Sequence, residues 1–314
     1  MKTQTVAALA ALAPAILSTG QAGAQATPDI ADAINQGNQV RDALRDQDRT
    51  VARAGSMEDS EIDGEAGVYV LTVNDIFYIA GAAGAGWSEN PLRTSDDAGD
   101  SVYADAVLTA GLQTRLDGKL DFGLAATLSG IEYEQDFAPS SRTLNLTTSV
   151  GMPIEGTPIY IGANAYGGVS YDSGFGDGTG FYGASMQLTA GRQFGHGTLG
   201  RATLSAGRSG NEIEDNNAWT ANLDAELTRI LADRWLLGAS ARISRFWYDD
   251  FFEDVTFVER RDWQYSGNVS LNWSPLDWLG ASASIGYEKG DSTFFLSNYD
   301  GFEAALTVSS RKRF

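Results

Sequence analysis

From about residue 75 to the end of the chain, apolar and polar residues alternate one for one. Between 102 and 115, Ala104, Ala106, Leu108, Ala110 and Leu112 alternate with Tyr103, Asp105, Thr109, Gln113 and Arg115. Between 217 and 230, Trp219, Ala221, Leu223, Ala225 and Leu227 alternate with Thr220, Asn222, Asp224, Glu226 and Thr228. A period of two is that of a β-strand with one greasy and one wet face. The pattern predicts twelve segments, near 76–88, 102–115, 119–135, 142–152, 158–172, 181–194, 198–211, 217–230, 234–248, 260–273, 279–290 and 299–314. Most exceed the roughly five or six residues of a soluble strand, and about nine to eleven are enough to cross a bilayer.

The connections alternate as well. Leu116-Asp117-Gly118, Glu155-Gly156-Thr157, Gly195-His196-Gly197, Ala232-Asp233 and Pro275-Leu276-Asp277 are short turns, and longer acidic loops such as 88–101, 172–180 and 249–258 lie between them. Short turns at one end and long loops at the other describe an up-and-down barrel, and an even strand count lets the first and last strands pair. Prolines 91, 139, 153, 158 and 275 stand at loops, turns or strand starts, where no ladder N–H is lost. Aromatics gather toward segment ends: Trp87, Tyr171, Tyr182, Trp219, Trp247, Trp263, Tyr287 and Phe302 at one end, and Phe77, Phe194, Trp235, Trp273, Trp278 and Phe314 at the other. Two such belts mark the interfaces of a membrane. The expected fold is all-β: an up-and-down antiparallel transmembrane β-barrel of about twelve strands within residues 61–314.

The first part of the chain reads differently. Met1-Lys2, the apolar run from Val6 to Leu17 and the small-x-small site Ala24-Gln25-Ala26 predict a signal peptide over residues 1–26. Residues 27–60 predict a short periplasmic amphipathic helix and linker. Ile30, Ala33, Gly37, Val40, Leu44 and Val51 form a helical seam amid Asp and Arg, and Gly37 weakens it. The run 67–73 is strand-like and is read as an extension before the barrel.

Composition then removes alternatives. A formal net charge of −19 argues against nucleic-acid binding, which needs clustered cations. A mean hydropathy of −0.21 is what alternating lipid-facing and lumen-facing residues average to. With no cysteine, disulfides are not the stabilising device. His196, the single histidine, stands in a predicted turn without a triad partner, no metalloprotease or phosphate-loop motif occurs, and no acidic run has calcium-loop spacing. No enzyme activity, cofactor or dedicated metal site is expected.

Parity also predicts the lumen. Asp105, Asp121, Arg201, Asp224, Glu226, Arg242, Asp262, Glu288, Glu303, Arg311 and Arg313 should point inward. Of these, Asp224, Glu226, Arg242, Arg201, Asp105, Glu288 and Glu303 are the candidate lumen and constriction residues. A simple hairpin register puts Arg242 diagonally from Asp224 as an ion pair. Acidic loops at one end, with Arg115, Lys119, Arg192, Arg201, Arg229, Arg234, Arg311, Lys312 and Arg313 mostly at the other, predict an axial field that favours cations.

The last segment pairs Phe302, Ala304, Leu306, Val308 and Phe314 on one parity with Glu303, Thr307, Ser309, Arg311 and Arg313 on the other. It resembles the final strand of bacterial outer-membrane barrels, a resemblance that implies Phe314 is the signal for the barrel assembly machinery. Residues 259–314 resemble the C-terminal part of Gram-negative outer-membrane porins of the porin-2-like group, through Arg261-Asp262, Trp273-Ser274-Pro275-Leu276-Asp277-Trp278, Tyr287, Asp291-Ser292 and Tyr299-Asp300. The plan of a helix before twelve strands is also similar to autotransporter translocators. These likenesses imply an outer-membrane address, with lipid and lipopolysaccharide as surroundings. They imply a narrow pore for small solutes with cation preference, or a barrel serving envelope export. The competing expectation is a non-conducting docking barrel whose residues 28–53 meet a periplasmic partner.

Overall fold

The computed structural model describes residues 77–314 apart from 92–98, 117–119, 136–139, 156, 173–177, 195–196, 213–216, 250–259, 277 and 294–297. The expected leader (1–26), the helix and linker (27–60), the run 67–73 and His196 lie outside the described residues. Twelve strands follow in order: β1 (Phe77–Ser88), β2 (Ser101–Leu116), β3 (Leu120–Tyr133), β4 (Ser141–Pro153), β5 (Ile159–Asp172), β6 (Thr179–Gln193), β7 (Thr198–Asn211), β8 (Ala218–Ala232), β9 (Trp235–Tyr248), β10 (Arg261–Leu276), β11 (Leu279–Ser292) and β12 (Tyr299–Arg313). Each pairs antiparallel with its sequence neighbours, and β1 pairs with β12, closing the sheet. The closing ladder runs from Tyr78 opposite Arg313 to Ser88 opposite Glu303, and the Phe314 N–H donates to the Phe77 carbonyl at 2.9 Å.

Closure decides which solvent each face meets. A barrel has no free edge, so every strand satisfies its backbone on both sides and its side chains sort only by parity. Leu108, Leu223 and Leu306 are 53%, 50% and 66% exposed, while Asp105 and Thr307 on the opposite parity are only 7% and 3% exposed. Soluble proteins bury such leucines; here they stand on the outside with Leu144, Leu146, Leu204, Met186, Val269 and Ile285, all exposed. An exterior of this kind is stable only in lipid. Trp235 and Trp273 stack at 5.9 Å near the short-turn end, and Tyr287 and Phe302 meet at 4.9 Å near the long-loop end. Pro275, inside β10 rather than in a free turn, coincides with the register shift between Trp273 and Leu276, where the ladder is already interrupted.

Replacing Leu223, in the middle of β8, by Arg places a charge on the lipid face near mid-depth. The variant is expected to lose about 2–4 kcal/mol of folding free energy in bilayers, measured by guanidinium unfolding followed by tryptophan fluorescence. A loss below the experimental error would contradict the lipid-facing assignment of this parity.

Candidate functional site: the barrel lumen

The inward parity is mostly polar, with Ile131, Leu199, Leu236 and Phe246 as its larger aliphatic and phenylalanine side chains. Asn164 donates to Ser185 at 2.9 Å, Asn222 to Ser205 at 3.1 Å, and Thr109 shares a hydrogen bond with Thr127 at 3.1 Å. Asp105 Oδ1, Asn145 Oδ1, Gln187 Oε1 and Thr307 Oγ1 are buried with no protein partner. Buried polar oxygens of this kind require water.

Charged groups on this wall fall into distinct sets. On β7, β8 and β9, Arg201 binds Glu226 at 2.6 Å and Arg242 binds Asp224 through a short hydrogen bond. The two acids are successive inward residues of β8, so the pairs form a ladder across three strands. Arg242 stands directly opposite Asp224 rather than diagonal to it. The reason is the bulge between Ile230 and Ala232, which shifts the β8–β9 register beside their two-residue turn.

The second set lies on β11, β12 and β2. Glu303 accepts a hydrogen bond from the Tyr103 hydroxyl, and Glu288 accepts one from Tyr299 at 2.7 Å. Asp105 lies one inward step below Tyr103. In a closed ring of twelve, β2 stands opposite β8, so Asp105 faces the ion-pair ladder, while β12 and β11, which carry Glu303 and Glu288, stand opposite β6 and β5. A tyrosine donor orients a carboxylate and leaves its charge in place.

Tyrosine also staples strands through glycine. Tyr103 on β2 crosses Gly86 of β1 to reach Glu303 on β12, and a Cβ at Gly86 would lie 2.5 Å from the ring. Tyr160 on β5 crosses Gly151 of β4 to reach Asp121 on β3 at 3.3 Å, and a Cβ at Gly151 would lie 2.3 Å from its hydroxyl. The glycine is the groove in which the ring lies. At the long-loop mouth Arg260 binds Asp262 at 2.7 Å and lies 4.5 Å from the centre of the Tyr248 ring, while Asp262 also accepts from Ser292. Burial works against the charge of Arg260, but the hydrogen bond and charge of Asp262 outweigh it and raise its pKa above the ordinary arginine value.

Parity alone located the lumen carboxylates. It did not reveal the partners of Tyr103 and Tyr160, because the contacts cross an intervening strand; a Gly on that strand was the available signal. It also overstated the axial charge asymmetry. Arg208, Arg245, Arg260, Arg261 and Lys289 lie at the long-loop end. Among the described residues no group of three or more His, Cys, Asp or Glu is arranged to hold a metal.

No family model matches the chain, and no curated protein sequence does. Solved structures do. An outer membrane channel from Pseudomonas putida F1 aligns with a TM-score of 0.53 at 14% identity, over 80% of this chain and 100% of that one. The β domain of the Bordetella autotransporter BrkA aligns at 0.44 and 13% over 76% and 100%, and the KdgM porin in complex with oligogalacturonate at 0.42 and 9% over 74% and 98%. At these identities the likeness is one of fold. The closed ring and the apolar exterior make this protein a membrane-spanning β-barrel, and its fold is that of the Pseudomonas outer membrane channel.

Replacing Gly86 by Ala should displace the Tyr103 ring from its groove. We expect a loss of about 1–3 kcal/mol in bilayer unfolding, whereas Tyr103→Phe, which removes only the hydroxyl, should lose about 1 kcal/mol. Equal stability of Gly86→Ala and wild type would contradict the staple.

Proposed function

We propose that this barrel is a narrow outer-membrane pore for small polar solutes, with a preference for cations. The observation that carries this reading is the acidic arc of Glu288, Glu303 and Asp105 on β11, β12 and β2, on the same inner wall as a ladder whose charges cancel in pairs. The ladder acids Asp224 and Glu226 each hold an arginine, so the excess negative charge of the bore comes from Asp105, Glu288 and Glu303, with Arg311 in the inward row of β12 offsetting part of it. A charge on the wall of a confined aqueous path sorts ions by sign. Twelve strands stand between eight, whose interior is filled by side chains, and sixteen to eighteen, which leave an open channel. A restricted bore is the expectation. Phe314, exposed directly after the last strand, serves in this reading as the recognition element for the barrel assembly machinery.

Folded protein in planar bilayers should give single-channel events, and a KCl gradient should give a reversal potential of the sign set by potassium. Joint substitution of Glu288→Gln, Glu303→Gln and Asp105→Asn should move that potential toward zero. The ladder supplies a test of sign. Asp224→Asn uncovers Arg242 and should lower the cation preference, and Arg242→Gln uncovers Asp224 and should raise it. Absence of channel events from folded protein would contradict the pore and favour a docking barrel that meets a periplasmic partner through residues 28–53.

A further inference from the structure

Parity places Arg245, like Arg208 and Arg261, where a lipid-facing strand ordinarily carries an apolar residue. Arg245 is on the outward face of β9, in the same row as Ile243 and Trp247. Its guanidinium carbon lies 4.7 Å from the centre of the Trp263 ring and 5.8 Å from that of Trp247. No carboxylate stands within ion-pair distance of it among the described residues. A cation facing lipid is costly near the midplane and tolerated near the interface. The two tryptophans place this one in the girdle of the long-loop end, where an ion finds headgroups rather than tails.

The register shows how the surroundings are built. Arg245 is opposite Trp263 on one side and Ala221 on the other. In the row nearer the loops, Trp247 stands between Trp219 and Arg261. Arg208, opposite Trp219 on β7, already has an anion: it binds Asp249 and lies 5.5 Å from the centre of the Trp219 ring. In the row toward mid-depth, Ile243 stands between Leu223 and Tyr265, all exposed. The patch therefore has a guanidinium held open between two indoles, a small Ala221 beside it, and an apolar floor directly beneath.

We propose that Arg245, Trp247 and Trp263 form a binding site for the phosphate of a phosphorylated glycolipid of the outer leaflet, with its acyl chains against Ile243, Leu223 and Tyr265. A guanidinium binds phosphate with two parallel hydrogen bonds while its face stacks on an indole; Arg245 already lies over Trp263, and no carboxylate among the described residues occupies its N–H edge. A phosphorylated glycolipid fits better than a phospholipid because the patch lies at the long-loop end, the outer side in this class of barrel. The several strands of apolar floor also match a headgroup carrying many chains. The site is independent of whether the bore conducts.

The test uses the folded barrel in detergent, titrated with purified lipid A and followed by native mass spectrometry and tryptophan emission. Wild type should retain lipid A, and Arg245→Gln should bind it about tenfold more weakly, the effect of losing one charged hydrogen-bonding partner. Heat-modifiable gel mobility establishes that the variant is folded. Dephosphorylated lipid A should bind wild type no better than intact lipid A binds Arg245→Gln. Equal retention of lipid A by the variant and wild type, or of the dephosphorylated and intact lipids by wild type, would overturn the proposal. Equal retention of phosphatidylglycerol and lipid A would overturn the assignment to a glycolipid.

Discussion

In hydrocarbon no water is present to satisfy a peptide group, and this constraint organises the whole molecule. A sheet that crosses a membrane must pair every backbone N–H and C=O within itself, which leaves closure as the solution. Here the ladder between β1 and β12 completes the ring, and the Phe314 N–H extends it to the Phe77 carbonyl. Once the edge is gone, side chains have two environments only, and a period of two assigns each residue to one of them. The exposed leucines outside and the buried serines, threonines and asparagines inside are consequences of that single topological fact.

The interior then poses a problem that a dry core does not. A polar lumen of limited width holds carboxylates and guanidiniums near low-dielectric walls, where an uncompensated charge is expensive. The structure meets this with direct arginine pairs on β7, β8 and β9, and with tyrosine hydroxyls from β2, β5 and β12 elsewhere on the wall. The tyrosines need glycines to lie over, so the small residues of β1 and β4 follow from the rings that cross them. Strand β1, with Ala80, Ala82, Gly84 and Gly86 inward, is a shallow channel that lets Tyr103 on β2 reach Glu303 on β12. The closing seam is thereby tied by a side chain as well as by backbone.

Much of this was legible in the sequence, for a physical reason. A strand that meets lipid on one side and water on the other writes its period plainly: the bounds of β7 are those expected, and those of β2, β5 and β9 differ by no more than one residue at either end. The inward carboxylates were legible by the same rule. What parity does not encode is lateral position. The bulge at Ile230–Ala232 moved Arg242 from the diagonal to the place directly opposite Asp224, and a single inserted residue of this kind leaves little trace in composition. Tyr103 and Glu303 are far apart in sequence and meet only because the ring closes. Arg245 was overlooked because a lone charge in an apolar row reads as noise until its two tryptophans, one on a neighbouring strand, are seen beside it.

Because the chain has no cysteine, single cysteines can be placed along β8 at 223, 224, 225, 226 and 227 without background. The account is tested most directly by the labelling rate of each, in folded protein in lipid vesicles, with a water-soluble charged thiol reagent. A closed cylinder with a wet inner wall predicts labelling at 224 and 226 and protection at 223, 225 and 227. Reaction at 223, 225 and 227 with protection at 224 and 226 would contradict it, as would uniform protection of all five.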